Sequence, residues 1–372
     1  MSKQRWPASI LAIVSFGCFL ARGAAPQARA SGQLVIQNQS NKIYRGLNIS
    51  TGSRSGQDCV VITNSTNITI EDSQIGPCGG NGINISGGGG IQIYDSYIHP
   101  ETHQNMCCDY NDGVLAQYTS QITIQGNVIA YGESNVEAPQ DVDGLRVVGN
   151  FLLNPLGGNN SRGQNVQAWD STNVLVLNNY TLSSQNTRKY LYPDIQEDSI
   201  NFGFGSGFVA ISNYVTGGHS PSGCGLIADE AANSALFIDN HLLDTGQCGI
   251  GIASGTQQLV DHNKVLNRTP VNGGGNTAIY VWNQYSEACG PVTVSHNIAT
   301  EVLPGSTYSS FWYGGGCDPL TQIDNTWDAA AQELITPPAI KMPPPMIPPQ
   351  PRNCVVRSPY STQTDWPVCE RL

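Results

Sequence analysis

Positive charge is scarce: lysine and arginine number 17 in 372 residues against 28 aspartate and glutamate, and charged residues of all kinds make up only 12% of the chain. A formal net charge of −11 with so few cations repels phosphate backbones and anionic lipid surfaces, which speaks against nucleic acid as a partner. It also leaves little to grip a densely anionic polymer. No apolar run reaches the about 20 residues a bilayer span needs. No stretch before residue 327 holds a 3.6-residue apolar period for three turns, which argues against a helical bundle. The glycine-rich segment Gly79–Gly90 is not followed by Lys-Ser/Thr, so it reads as a turn rather than a phosphate cradle.

What the chain does have begins with a secretory signal over Met1–Ala30: Lys3 and Arg5, an apolar run from Ile10 to Leu20, and Ala28-Arg29-Ala30 as a small-x-small cleavage site. Cleavage removes four basic residues and no acid, leaving a net charge of −15. It also leaves ten cysteines, an even number that favours disulfides outside the cytoplasm over zinc. The expected location is extracellular or periplasmic, with no membrane contact after cleavage.

A short polar residue recurs at Ser73, Ser96, Asn127, Asn150, Asn179, Asn213, Asn240, Asn263 and Asn297. Five and three residues before each, and two after, stand apolar side chains; only Gln258 and Thr181 break twenty-seven such places. Period-two alternation calls for strands, and repeats of 23 to 34 residues cannot bury their own apolar faces, so neighbours must stack. The expected fold is all-β: one solenoid of about nine or ten coils over residues 31–327, with an asparagine ladder at a left-handed corner. Residues 328–372 read as a proline-rich extension. Gly132–Asp143 and Leu182–Gln196 read as loops. Stacking predicts Cys224–Cys248, then Cys289–Cys317 and Cys354–Cys369, with vicinal Cys107 and Cys108 drawing on Cys78 or Cys59.

The coil from Asp112-Gly-Val-Leu-Ala-Gln to Gln121-Ile-Thr-Ile-Gln-Gly-Asn-Val-Ile resembles the right-handed parallel β-helix of the pectin-lyase-like superfamily, over about residues 32 to 325. The resemblance implies a carbohydrate-active type with a cleft along one exposed sheet. The Asn-Thr-Asp, Asp-Asp, Gly-His-Gly and Arg-Ile-Lys set of polygalacturonases is missing, and Val260-Asp-His falls in the wrong sheet for a pectate-lyase calcium ladder. A nearer likeness is to secreted β-helix proteins carrying Arg-Gly-Gln-x-Val-Gln, Glu-Asp-x-Ile-Asn, Gly-Gln-x-Gly-Ile and Ile-Tyr-Val-Trp-Asn-Gln, here at Arg162–Gln167, Glu197–Asn201, Gly246–Ile250 and Ile279–Gln284.

Alternation along the exposed sheet sends Leu115, Gln167, Asn201, Ile227, Gly251 and Tyr280 outward, followed by Gln117, Trp169, Gly203, Asp229, Ala253 and Trp282. Trp169, Tyr280 and Trp282 suit sugar faces, while Gln167 and Asn201 suit hydroxyls. Among the carboxylates near this face, Glu197, Asp198 and Asp229 form the candidate catalytic set, because adjacent coils can set the two-acid spacing that glycoside hydrolysis requires. Asp170, His219 and Arg162 complete the expected substrate contacts. The expectation is a monomeric, secreted glycoside hydrolase acting on a polysaccharide or oligosaccharide, with no cofactor and no metal. Its rivals are a lyase using Arg162 or His219 as base, and a non-catalytic glycan-binding or structural surface protein.

Overall fold

The computed structural model describes residues 30–52, 55–100, 111–156, 163–183, 196–218, 222–268, 276–301 and 310–328, together with a short antiparallel pair, Val355–Val356 with Pro367–Val368. Arg162, His219, Cys107, Cys108, Cys354 and Cys369, and residues 1–29 of the expected signal, lie outside the described residues. Within them the chain is a right-handed parallel β-helix. Twelve short strands, from Ala30–Ser31 to Thr326–Trp327, stack as one sheet. Longer strands such as Val166–Leu177 run through two further faces in continuous parallel register.

All twenty-seven places singled out by the repeat are buried, and together they run the length of the interior. Burying one aliphatic side chain is worth about 1.5–3 kcal/mol, so this column is the main cohesive term of the stack. The two polar exceptions are satisfied inside it. Gln258 Oε1 accepts the Ala235 N–H at 3.0 Å, and Thr181 Oγ1 shares a 3.0 Å hydrogen bond with Ser199 Oγ.

The asparagine ladder runs from Asn127 through Asn150, Asn179, Asn213, Asn240, Asn263 and Asn297 to Asn325. In each step the Oδ1 of one asparagine accepts both the backbone N–H and the Nδ2 of the residue one coil back, at 2.9–3.0 Å. The left-handed bend is not on the asparagines. It falls on the residue before, at Asp72, Asp95, Gly126, Gly149, Asn178, Ser212, Asp239, His262, His296 and Asp324. The asparagine stays in ordinary backbone geometry and pairs buried amides that would otherwise be stranded.

The structure alters two further expectations. Gly132–Asp143 is not a loop: Val136–Val148 is a strand in register with Val114–Gln125 and Val166–Leu177. Pro139 is accommodated because it falls in the register break between Ala138 and Val142. Cys59 and Cys78 pair with each other rather than with the vicinal cysteines, their Cα atoms 5.4 Å apart. Cys224–Cys248 and Cys289–Cys317 form as expected.

Candidate functional site

One sheet face carries an outward column that runs Asn84, Leu115, Glu137, Gln167, Asn201, Ile227, Gly251, Tyr280 and Trp312 on successive coils. Its parallel neighbour includes Trp169 and Gly203, with Asp229, Ala253 and Trp282 on the coils that follow. Coils repeat every ~4.8 Å, so residues far apart in sequence share one surface.

Asn201 links the two central acids. Its Nδ2 donates to Asp198 Oδ2 at 2.9 Å and lies 3.4 Å from Asp229 Oδ2. The sum of these, about 6.3 Å, is an upper limit on the separation of the two Oδ2 atoms, which places both acids within reach of one bond. Asp198 is buried, and its Oδ1 accepts the Cys224 N–H at 2.7 Å. Burial, with the charges of Glu197 and Asp229 beside it, pushes its carboxyl well above the usual range. Asp229 is half-buried and accepts the Tyr285 hydroxyl at 2.6 Å. Burial and the adjoining Asp229 raise Tyr285, so it remains a donor. Glu197 is half-buried at the rim, its Oε1 3.5 Å from Ser222 Oγ.

Asp198 also has a structural duty. Asp58 and Asp112 stand at the same point of earlier coils and likewise accept a backbone N–H from the next coil, from Asn81 at 2.7 Å and Ser134 at 3.0 Å. Asp112 has Glu137 beside it, and Asp198 has Asp229; the amide of Asn201 between the two acids is what distinguishes the second pair.

The aromatic residues divide. Tyr280, expected as an exposed platform, is only 7% exposed: it packs in a satellite apolar cluster with Ile227, Ala253, the Cys224–Cys248 bridge and Tyr285. Its ring lies over Gly251, where a Cβ would come within 2.7 Å of it. Gln284 Nε2 donates to its hydroxyl at 2.8 Å, and burial plus the nearby Asp198 and Asp229 push that phenol well up. Trp282 and Trp312 remain exposed at 40% and 43%, edge to face at 5.5 Å. Trp169 is half-buried, its ring occupying the space a Cβ on Gly203 would need and meeting Phe204 edge-on at 5.3 Å.

Gln167 stands one coil from Asn201 as expected. Asp170 does not join this group. It sits in left-handed conformation at the bend leaving the sheet, lining a surface hollow of about 260 Å³ with Asp141 and Asp143. Reading Gly132–Asp143 as a loop hid Glu137. It stands next to Gln167 and beside Asp112, whose carboxyl is pushed well up by burial and by the charges of Glu137 and Glu133. The signal was available: Asn135-Val-Glu-Ala repeats Asn165-Val-Gln-Ala. Gln284 closes the Ile279–Gln284 motif, whereas Tyr285 carried no such signal, since it acts from a segment after the strand.

No family model matches the chain, and no curated protein matches it. Among solved structures it is similar to DFA-IIIase from Arthrobacter chlorophenolicus A6 in complex with GF2, at 12% identity and a TM-score of 0.52, covering 73% of this chain and 68% of that one. It is also similar to the Dettilon tailspike protein, at 12% identity and a TM-score of 0.56, covering 78% and 60%. A third is PfbA, a surface adhesin of Streptococcus pneumoniae, at 11% identity and a TM-score of 0.50, covering 79% and 71%. At these identities the likeness establishes the β-helix fold.

Proposed function

We propose that the chain is a secreted carbohydrate-active enzyme of the pectin-lyase-like type, a glycoside hydrolase whose acid pair is Asp198 and Asp229. The observation that carries this reading is the Asn201 amide shared by two carboxyls of unlike environment, one buried and one half-exposed. Two acids whose surroundings differ in this way divide the roles of proton donor and nucleophile. Asp198, kept protonated by burial, supplies the proton for the leaving oxygen from Oδ2, the oxygen on the side of Asn201 and Asp229, while Oδ1 stays on the Cys224 N–H. Asp229, held by Tyr285 and Asn201, attacks the anomeric carbon, and water then releases the sugar with Asp198 acting as base. Glu197 keeps Asp198 protonated through its charge, and Gln167, Trp169, Trp282 and Trp312 supply hydroxyl contacts and stacking surfaces. DFA-IIIase with bound GF2 is consistent with a sugar substrate, and the disulfides are consistent with secretion. Arg162 and His219, outside the described residues, keep their proposed place as substrate contacts.

The test is turnover of a polysaccharide and oligosaccharide panel by the mature chain, with products weighed by mass spectrometry. Water addition is expected. Asp229→Asn and Asp198→Asn should each lower kcat by about 10²–10⁴-fold. Glu197→Gln should retain activity but move the alkaline limb of the pH profile downward, because losing a neighbouring negative charge lowers the Asp198 pKa. Unsaturated product ends would replace hydrolysis with elimination, and glycan binding without turnover, untouched when Asp198→Asn and Asp229→Asn are combined, would make the chain a binding module.

A further inference from the structure

At the far corner of the coils, away from the groove strands, Asp261, His262 and His296 converge. His262 Nδ1 lies 2.8 Å from Asp261 Oδ2, and His296 Nδ1 lies 2.9 Å from Asp261 Oδ1. The two rings stack at 4.6 Å with 27° between their planes, and one donor atom from each of the three residues falls within 4.8 Å of the others. Ser295 Oγ fixes the carboxylate further, bonding Asp261 Oδ1 at 2.6 Å.

Corner geometry alone does not account for two imidazoles. Other coils fill the same left-handed position with aspartate, glycine, asparagine or serine, which suit it sterically. Here histidines occupy it on consecutive coils, with a carboxylate from the preceding strand between them. Asp239 and Asp324 hold the same corner on the coils before and after, so the column is acidic on both sides. The backbone beneath is pinned: His262 N–H bonds Ser295 O at 3.0 Å and His296 N–H bonds Ile323 O at 2.9 Å. Two imidazoles and a carboxylate on a rigid base form a donor set suited to zinc, whose bonds to nitrogen and oxygen are about 2.0–2.2 Å and which takes four ligands in tetrahedral array.

We propose that Asp261, His262 and His296 bind one zinc ion, which staples two adjacent coils near the C-terminal end of the solenoid. Coordination through Nδ1 puts the proton of each neutral ring on Nε2. The fourth position falls to water or to a flanking aspartate. The sequence reading assigned no metal, because Asp261 and His262 lie off the groove; a site that ties coils together has no need of the groove.

The test uses the mature chain without an affinity tag, stripped with chelator and titrated with zinc chloride by calorimetry and by thermal melt. The expected result is one zinc per chain at micromolar or tighter affinity, a raised melting temperature, and at least a tenfold weaker affinity in His296→Gln, with no comparable response to magnesium. His262→Gln, whose side chain is 60% exposed, provides the same readout should His296→Gln fold poorly. A stoichiometry well below one, or equal affinity in the wild type and either variant, overturns the proposal.

Discussion

Asn213 condenses the logic of single residues in this protein. Its Oδ1 accepts from the Asn179 N–H and Nδ2, and its own Nδ2 reaches Val176 O and Asn240 Oδ1. Asn213→Ala strands several buried polar groups at once, each costing about 1–3 kcal/mol, so chemical denaturation should register a loss of about 3 kcal/mol or more. Glu301 is the opposite case: both carboxylate oxygens are buried, the Asn267 side chain beside them gives weak relief, and burial pushes its pKa up to about 7. A raised carboxyl favours the fold below its unfolded value, and that advantage drains away as pH climbs toward 7. Glu301→Gln should therefore be neutral near pH 4 and more stable by about 1–3 kcal/mol at pH 8, read from melts at the two values. Of these residues the ladder asparagine was legible, because it recurs at a fixed offset from apolar pairs. Its bend was placed one residue late, since a short polar residue and the corner preceding it look alike in sequence. The burial of Tyr280 was illegible for a different reason: it depends on Gly251 one coil back leaving room for the ring.

That dependence makes a prediction about how strands cooperate. Gly251→Ala puts a methyl group where the Tyr280 ring rests, and the ring cannot yield without disturbing Gln284, Tyr285 and the Asp229 carboxylate. Activity on whichever glycan the panel identifies should fall at least tenfold while the far-ultraviolet dichroism stays that of the parent; an unchanged kcat would detach Tyr280 from the site. Strands were readable where inward residues were aliphatic and turns were short. The strand Val136–Val148 was read only from Leu145 on, because four acids and Pro139 fall within or just before its first part, a composition that belongs to loops in most settings. Stacking overrode that local preference: Val136, Ala138, Val142, Leu145 and Val147 are all buried. Glu137 reached the groove by the same route, so one misjudged element concealed one candidate site residue.

The whole molecule behaves as a one-dimensional stack, and its ends differ from its middle. Lys42 pairs in register with Ile68, and Gln322 with Val294, so at both ends of the described coils a polar, exposed residue stands in the column that is otherwise aliphatic. A coil with one neighbour buries one face, whereas an inner coil buries two, and a polar residue in the end column stops further coils from adding. Opening should therefore begin at the ends, where a coil leaves by breaking a single interface, and reach the centre only with global unfolding. Hydrogen exchange followed by mass spectrometry should find the slowest amides in the strands Val114–Gln125, Val136–Val148, Val166–Leu177 and Ile200–Ile211. The fastest should lie in Ser40–Arg45 and Leu320–Ile323. The groove acids Asp198 and Asp229 sit toward that protected centre, which is where a site that must keep two carboxyls in fixed relation gains most from the stack. Uniform protection from end to end would mean that the coils open as one cooperative block and that the polar end residues are incidental.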